Sequence, residues 1–176
     1  MAGPGAGVTV LSDADILRLR AERLFGCDPF VEKHLTPNGL DLCVAEVMLP
    51  DSVGTGKVFR EGTVEVPGRE RFIVSTREFV RMPADVCGSL WLRSSYARRG
   101  VVASFGKVEA GFEGTLTVGA INAGASPILL PIGDRFCQLV LERLASPPRR
   151  TYAEASGNYQ GQRGVTLARS DERPPG

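Results

Sequence analysis

The chain holds one histidine, one tryptophan and four cysteines among 176 residues. Each scarcity removes a class of chemistry. A Ser-His-Asp or Cys-His relay has only His34 to draw on. That residue lies in Glu32-Lys-His-Leu-Thr-Pro37, a polar stretch of loop character, and is read as non-catalytic. Cys27, Cys43, Cys87 and Cys137 are far apart, and no C-x-x-C pair occurs. That spacing argues against a structural zinc site or a thioredoxin-like motif. The cysteines are expected to be buried, small and apolar. The H-x-E and P-C-x-x-C pair of zinc nucleobase deaminases is also missing. No metal ligand set and no protein-bound zinc are expected.

Excess charge is lacking too. Lys and Arg number 21 against 20 Asp and Glu, a net charge of +1. That excludes a strongly basic nucleic-acid binder. No apolar run approaches the ~20 residues of a membrane span. The start, Met1-Ala-Gly-Pro-Gly-Ala-Gly7, lacks a signal-peptide pattern, so a cytoplasmic protein is expected. Gly54-Thr-Gly-Lys57 is read as a turn, because Val58 follows the lysine where a phosphate loop needs Ser or Thr.

What is present is the punctuation of a β protein. Residues 1–8 are Gly, Ala and Pro-rich and expected to be disordered. Ser12-Asp-Ala-Asp15 predicts a helix start, with Ile16, Leu17 and Leu19 as its apolar side. Leu40, Leu42 and Val44 then alternate with Asp41 and Cys43 at strand period. Further short runs are Arg71-Phe-Ile-Val74, Glu78-Phe-Val80, Ser89-Leu-Trp-Leu92, Thr115-Leu-Thr-Val118 and Phe136-Cys-Gln-Leu-Val-Leu141. Glycine, proline and aspartate cut between them, which predicts an all-β sandwich or barrel. The β domain is assigned to residues 9–150, a polar segment to 151–167 and a disordered tail to 168–176.

Four segments carry a resemblance: Arg93-Ser-Ser-Tyr-Ala-Arg98, Glu109-Ala-Gly-Phe-Glu-Gly114, Pro131-Ile-Gly-Asp-Arg-Phe-Cys-Gln138 and Asn158-Tyr-Gln-Gly-Gln-Arg-Gly164. Leu11-Ser-Asp-Ala-Asp-Ile16 and Gly39-Leu-Asp-Leu42 add to it. Their order and spacing resemble the dCTP deaminase / dUTPase family, closest to its deaminase branch, over about residues 9 to 167. The resemblance implies a distorted jelly roll assembled as a homotrimer. It implies nucleotide-type ligand sites between subunits and a C-terminal segment that closes over a neighbouring site.

Arg93, Ser94, Ser95 and Arg98 would meet phosphates, as hydroxyl donors and charged forks suit an anion. The plain alternative has Ser94 capping a turn and the arginines solvated. Gln138 is a ligand contact or an interface hydrogen bond. Tyr159 and Gln162 belong to the closing segment or to a loose linker. Phe112 would stack on a sugar, or be an ordinary core ring. Magnesium would arrive on the substrate phosphates.

The sequence also departs from the family pattern. Gly119 stands where deaminases carry the glutamate that activates water. Glycine has no group to transfer a proton, help worth about 10²–10⁴-fold. Glu109 replaces the usual aspartate and is the remaining candidate acid or base. Val102 replaces a histidine and Phe105 a small residue, so the expected pocket of Val102, Phe105, Phe112 and Gly119 is more apolar. Asn158 stands where many members have lysine. Four functions stay open: a nucleotide pyrophosphohydrolase using Glu109, an enzyme repurposed for a non-canonical nucleotide or apolar small molecule, a dCTP deaminase with another proton shuttle, and a non-catalytic nucleotide sensor.

Overall fold

A computed structural model describes residues 10–51 and 55–168. The segments expected to be disordered, 1–8 and the tail after 168, lie outside these residues, as does Gly54 of the expected turn. Helix α1 (Asp13–Ala21) opens on the capping box that its sequence predicts. Ser12 accepts the Asp15 N–H, and the Asp15 carboxylate accepts the Ser12 N–H. Ile16 and Leu19 are buried, but Leu17 faces outward.

Strands follow: β1 (Gly26–Asp28), a 3-10 turn over Glu32–His34, β2 (Leu35–Thr36), β3 (Gly39–Pro50), β4 (Gly56–Phe59), β5 (Thr63–Val66), β6 (Arg71–Thr76), β7 (Phe79–Arg81) and β8 (Val86–Leu92). The short helix α2 (Ser94–Ala97) leads to β9 (Val101–Ser104), β10 (Lys107–Val108), β11 (Glu113–Gly114), β12 (Thr117–Asn122), β13 (Ile128–Pro131) and β14 (Arg135–Arg143). A last turn of helix, α3 (Tyr152–Ala155), begins the C-terminal segment. The described part of the 53–70 stretch thus contributes β4 and β5.

Strand β3 organises the barrel-like wrap. Its first half pairs with β14, its second half with β6, and the register shifts between Val44 and Glu46. A bulge of this kind bends a strand and increases its twist, so one strand serves two layers. The order runs β10-β8-β14-β3-β6-β12-β9, with β2 and β4 also on β3. Between the layers, the Phe72 and Phe136 rings meet edge-on at 6.3 Å, and Tyr96 approaches Phe136 at 5.1 Å. All three are fully buried. Each such ring contributes roughly 1.5–3 kcal/mol over leaving it in water.

Asn122, at the end of β12 and fully buried, ties loops to this core. Its amide N–H groups donate to the carbonyls of Val66, Pro67 and Ser126, and its oxygen accepts the Gly124 N–H.

The alternation read in β3 is only half of its story. Asp41 and Cys43 are buried along with Leu40, Leu42 and Val44. The second face is covered by polar partners instead of water. Arg93 and Arg135 reach the Asp41 carboxylate at 3.1 and 3.2 Å, and His34 and Glu78 flank Cys43.

Residues 151–168 find partners on their own chain. The segment has no core, but its backbone and amides find partners. Gly161 N–H donates to Glu113 O, Thr115 N–H to Gln162 O, and Gln162 Nε2 to Thr115 O. Arg163 lies over the Phe79 ring at 4.5 Å.

Candidate active site

The turn between β10 and β11 forms one lip of a cavity of about 220 Å³. Gly111 makes this turn possible. Its φ is +79°, and a Cβ there would meet Thr151 Cβ at 2.7 Å. Glu109, exposed at the rim, accepts the Phe112 N–H through its backbone oxygen. Phe112 is buried, lines the cavity and meets the Tyr152 ring edge-on at 5.4 Å. Tyr159 and Gln162 supply the C-terminal wall. Among the described residues, Glu109 is the only carboxylate on the cavity wall, and Lys107 the only amine. Lys107 is held 2.7 Å from Glu142, which raises its pKa and lowers that of Glu142.

Gly119 does not line this cavity. It lies beside it, on the outward face of β12 with Thr117 and Ile121, while Val118 and Ala120 point inward. A shallow apolar depression of about 420 Å³ brings Gly119 together with Val102, Ala103 and Ile121. A second concavity, about 590 Å³, runs from Gly119 to Thr166 and Leu167. Ser104 and Thr117 form shared walls between these spaces and the cavity. Among the described residues, apart from its chain neighbours, no atom lies within 4 Å of a Cβ at position 119, so the position is open.

Phe105 does not join Val102 and Gly119. It is half-buried on the core edge and borders a separate hollow with Trp91. The apolar pocket expected from Val102, Phe105, Phe112 and Gly119 is thus three adjoining spaces in one chain. The reason is the pleat: Val102 faces outward, and Phe105 lies beyond the end of β9.

The expected phosphate residues lie away from the cavity wall. Ser94, Ser95 and Arg98 are on α2 and at its end, and Ser95 and Arg98 are exposed. The N-cap of α2 is Arg93, with no side-chain cap bond, so Ser94 does not cap the turn. The Arg93 side chain is half-buried and engaged by Asp41. Gln138 donates from its amide to Thr36 Oγ1 within the sheet. Asn158 is exposed.

One constellation escapes the sequence reading. His34, Cys43 and Glu78 offer ligand atoms within 4.8 Å of one another. Their spacing of nine and 35 residues matches no motif. The signals were a cysteine inside a strand whose other face is apolar, and a glutamate read as strand that falls instead in the turn before β7.

The fold is that of dUTPases and dCTP deaminases. A dCTP deaminase structure from Agrobacterium tumefaciens superposes with a TM-score of 0.64 at 20% identity. It covers 77% of this chain, which spans about half (48%) of that one. A mutant dUTPase of phage phi11 of S. aureus gives 0.52 at 19% identity, covering 72% and 94%. Residues 56–144 match the family described as dCTP deaminase-like. A dCTP deaminase of Pyrococcus horikoshii is 42% identical over 147 residues, 82% of this chain and 88% of the relative. One from Aeropyrum pernix is 38% identical over 172 residues, 90% and 94%. The chain belongs to the dCTP deaminase-like family.

Proposed function

We propose that the chain is a nucleotide pyrophosphohydrolase that acts on a pyrimidine deoxynucleoside triphosphate. One observation carries this reading: among the described residues the cavity has a single carboxylate, Glu109, and position 119 has no side chain. A carboxylate at the rim suits orientation of a water for attack on phosphorus. The water oxygen bonds to the α-phosphorus, the bond to the β-phosphate oxygen breaks, and pyrophosphate leaves. Magnesium travels on the phosphates and neutralises them. Phe112 offers its ring to the sugar.

The cavity volume, about 220 Å³, is below the ~300–1,000 Å³ usual for ligand pockets. A base and sugar fill it, so the phosphates extend beyond. Arg93, Ser94, Ser95, Arg98 and Gln138 lie on another surface of the chain. In this proposal a second copy brings them to the phosphates, in a homotrimer. The outward apolar groups Trp91, 62% exposed, and Val102, 58% exposed, support a surface that a copy covers.

Deamination of dCTP is the second reading, favoured by relatives of that name at 42% and 38% identity. It requires a proton shuttle other than residue 119, and Glu109 is the candidate. The test is turnover of dCTP, dUTP, CTP, UTP and their monophosphates, with and without magnesium, following base and phosphates by chromatography. Magnesium-dependent release of pyrophosphate that Glu109→Gln abolishes supports the first reading. Conversion of cytosine to uracil with the triphosphate intact supports the second. No change in any nucleotide overturns both, leaving a sensor or a repurposed pocket.

A further inference from the structure

We propose that His34, Cys43 and Glu78 form a binding site for a divalent metal ion of the zinc class. Three elements that are distant in sequence converge there: the 3-10 turn, β3 and the turn between β6 and β7. The Cys43 thiol lies 3.6 Å from His34 Nδ1. Bonds of ~2.3 Å to sulfur and ~2.05 Å to nitrogen, at a tetrahedral angle, separate the ligand atoms by about 3.6 Å. A carboxylate oxygen of Glu78 completes the triangle, all ligand atoms within 4.8 Å.

Glu78 supplies a second, independent reason. Its side chain is buried (2% exposed), yet no Lys, Arg or His forms an ion pair with it among the described residues. Its carboxylate accepts the Cys43 N–H at 2.9 Å. Buried carboxylates are ordinarily paired or bound to a metal. A cation seated among the three groups would give the carboxylate its charge partner. Sulfur, imidazole and carboxylate together suit zinc and disfavour magnesium or calcium, which prefer oxygen alone.

Binding replaces the S–H bond with a metal–sulfur bond, and the displaced proton, with any on Glu78, goes to bulk water. His34 is only half-buried, so ion and water reach a fourth position from its side. The ion braces β3 two residues from Asp41, the anchor of Arg93 and Arg135. The site stands apart from the cavity and does not depend on the hydrolase reading.

The test uses the full chain, reduced and stripped of metal, titrated with cobalt(II). The expected result is saturation at one ion per chain, with a thiolate-to-cobalt charge-transfer band that zinc displaces. Cys43→Ser should remove the band. His34→Gln and Glu78→Gln should weaken binding at least tenfold, while Cys87→Ser changes nothing. Should Cys43→Ser fail to fold, His34→Gln decides, since that side chain sits on a half-exposed turn. Absence of a saturable band, a band that survives Cys43→Ser, or unchanged affinity in His34→Gln overturns the proposal.

Discussion

Replacing Gly119 by glutamate asks whether the neighbouring pocket still seats a cytosine. The new side chain enters open space: among the described residues, apart from its chain neighbours, no atom lies within 4 Å of its Cβ. The strand there pairs on both sides, with Ile73 of β6 and Ser104 of β9. A β position that gains a solvent-facing side chain changes stability by less than about 1 kcal/mol. At this chain length that moves Tm by only about 2–4 °C. The effect on chemistry is larger. A positioned proton shuttle is worth about 10²–10⁴-fold, or roughly 2.7–5.4 kcal/mol of barrier. If cytosine seats beside position 119, Gly119→Glu should raise kcat/KM for dCTP deamination by at least about a hundredfold over the parent chain. Uracil nucleotide formed from dCTP is the readout, and the melting curve reports folding. Ser104 and Thr117 connect the new carboxylate to the cavity, so the gain should persist in the double variant with Glu109→Gln. A folded Gly119→Glu protein that leaves dCTP untouched would refute the argument: the cytosine ring would not lie beside position 119.

Three further predictions concern the framework. Asn122→Ala removes four hydrogen bonds at a fully buried joint. With unsatisfied buried groups at about 1–3 kcal/mol each and partial access of water to some, a loss of roughly 3–5 kcal/mol is expected, read as a lower urea midpoint. Tyr96→Phe deletes the 2.6 Å bond that the buried Tyr96 ring sends to the exposed Asp134 carboxylate. With the carboxylate open to water, a loss of about 0.5–1.5 kcal/mol is expected, with no change in the oligomeric state by sedimentation. Lys107→Met tests the Glu142 pair. The folded carboxyl pKa is lowered, so the pair stabilises above the unfolded value and its contribution is lost as pH falls through the folded one. Both groups are partly exposed, so less than about 1 kcal/mol is expected near pH 7. Parent and variant should converge in denaturant midpoint at strongly acid pH; a gap that persists there contradicts the reading.

Local signals were legible because they depend on neighbours in sequence. The α1 capping box, the alternation of Leu40, Leu42 and Val44 in β3, and the short runs that become β6 and β14 follow from residue order alone. Leu17 misled, since a short helix on a sheet buries a narrower stripe than its apolar residues suggest. Long-range pairing was not legible. Nothing in Gly39-Leu-Asp-Leu42 says that Arg93 and Arg135 will cover Asp41, because those contacts form only when β14 and the end of β8 arrive. The same holds for His34, Cys43 and Glu78. A search for closely spaced ligands overlooks a site assembled by topology. The candidate cavity was half legible: Glu109, Phe112, Tyr159 and Gln162 meet, whereas Arg93, Ser94, Ser95, Arg98 and Gln138 remain on a different surface of the chain.

The C-terminal segment has a consequence for how the protein survives in a concentrated solution. Strand β11 is a border of its small sheet, with β7 on one side only. Its other side offers the backbone groups of Glu113 and Thr115, a template onto which any passing extended chain can add. Gln162 forms a parallel bridge with Gly114, and the Gly161 N–H donates to the Glu113 carbonyl. The segment therefore works as a selvedge that stops the sheet from unravelling into its neighbours. Cutting the chain after Arg150 would bare that hem, and the shortened protein should form larger assemblies as its concentration rises.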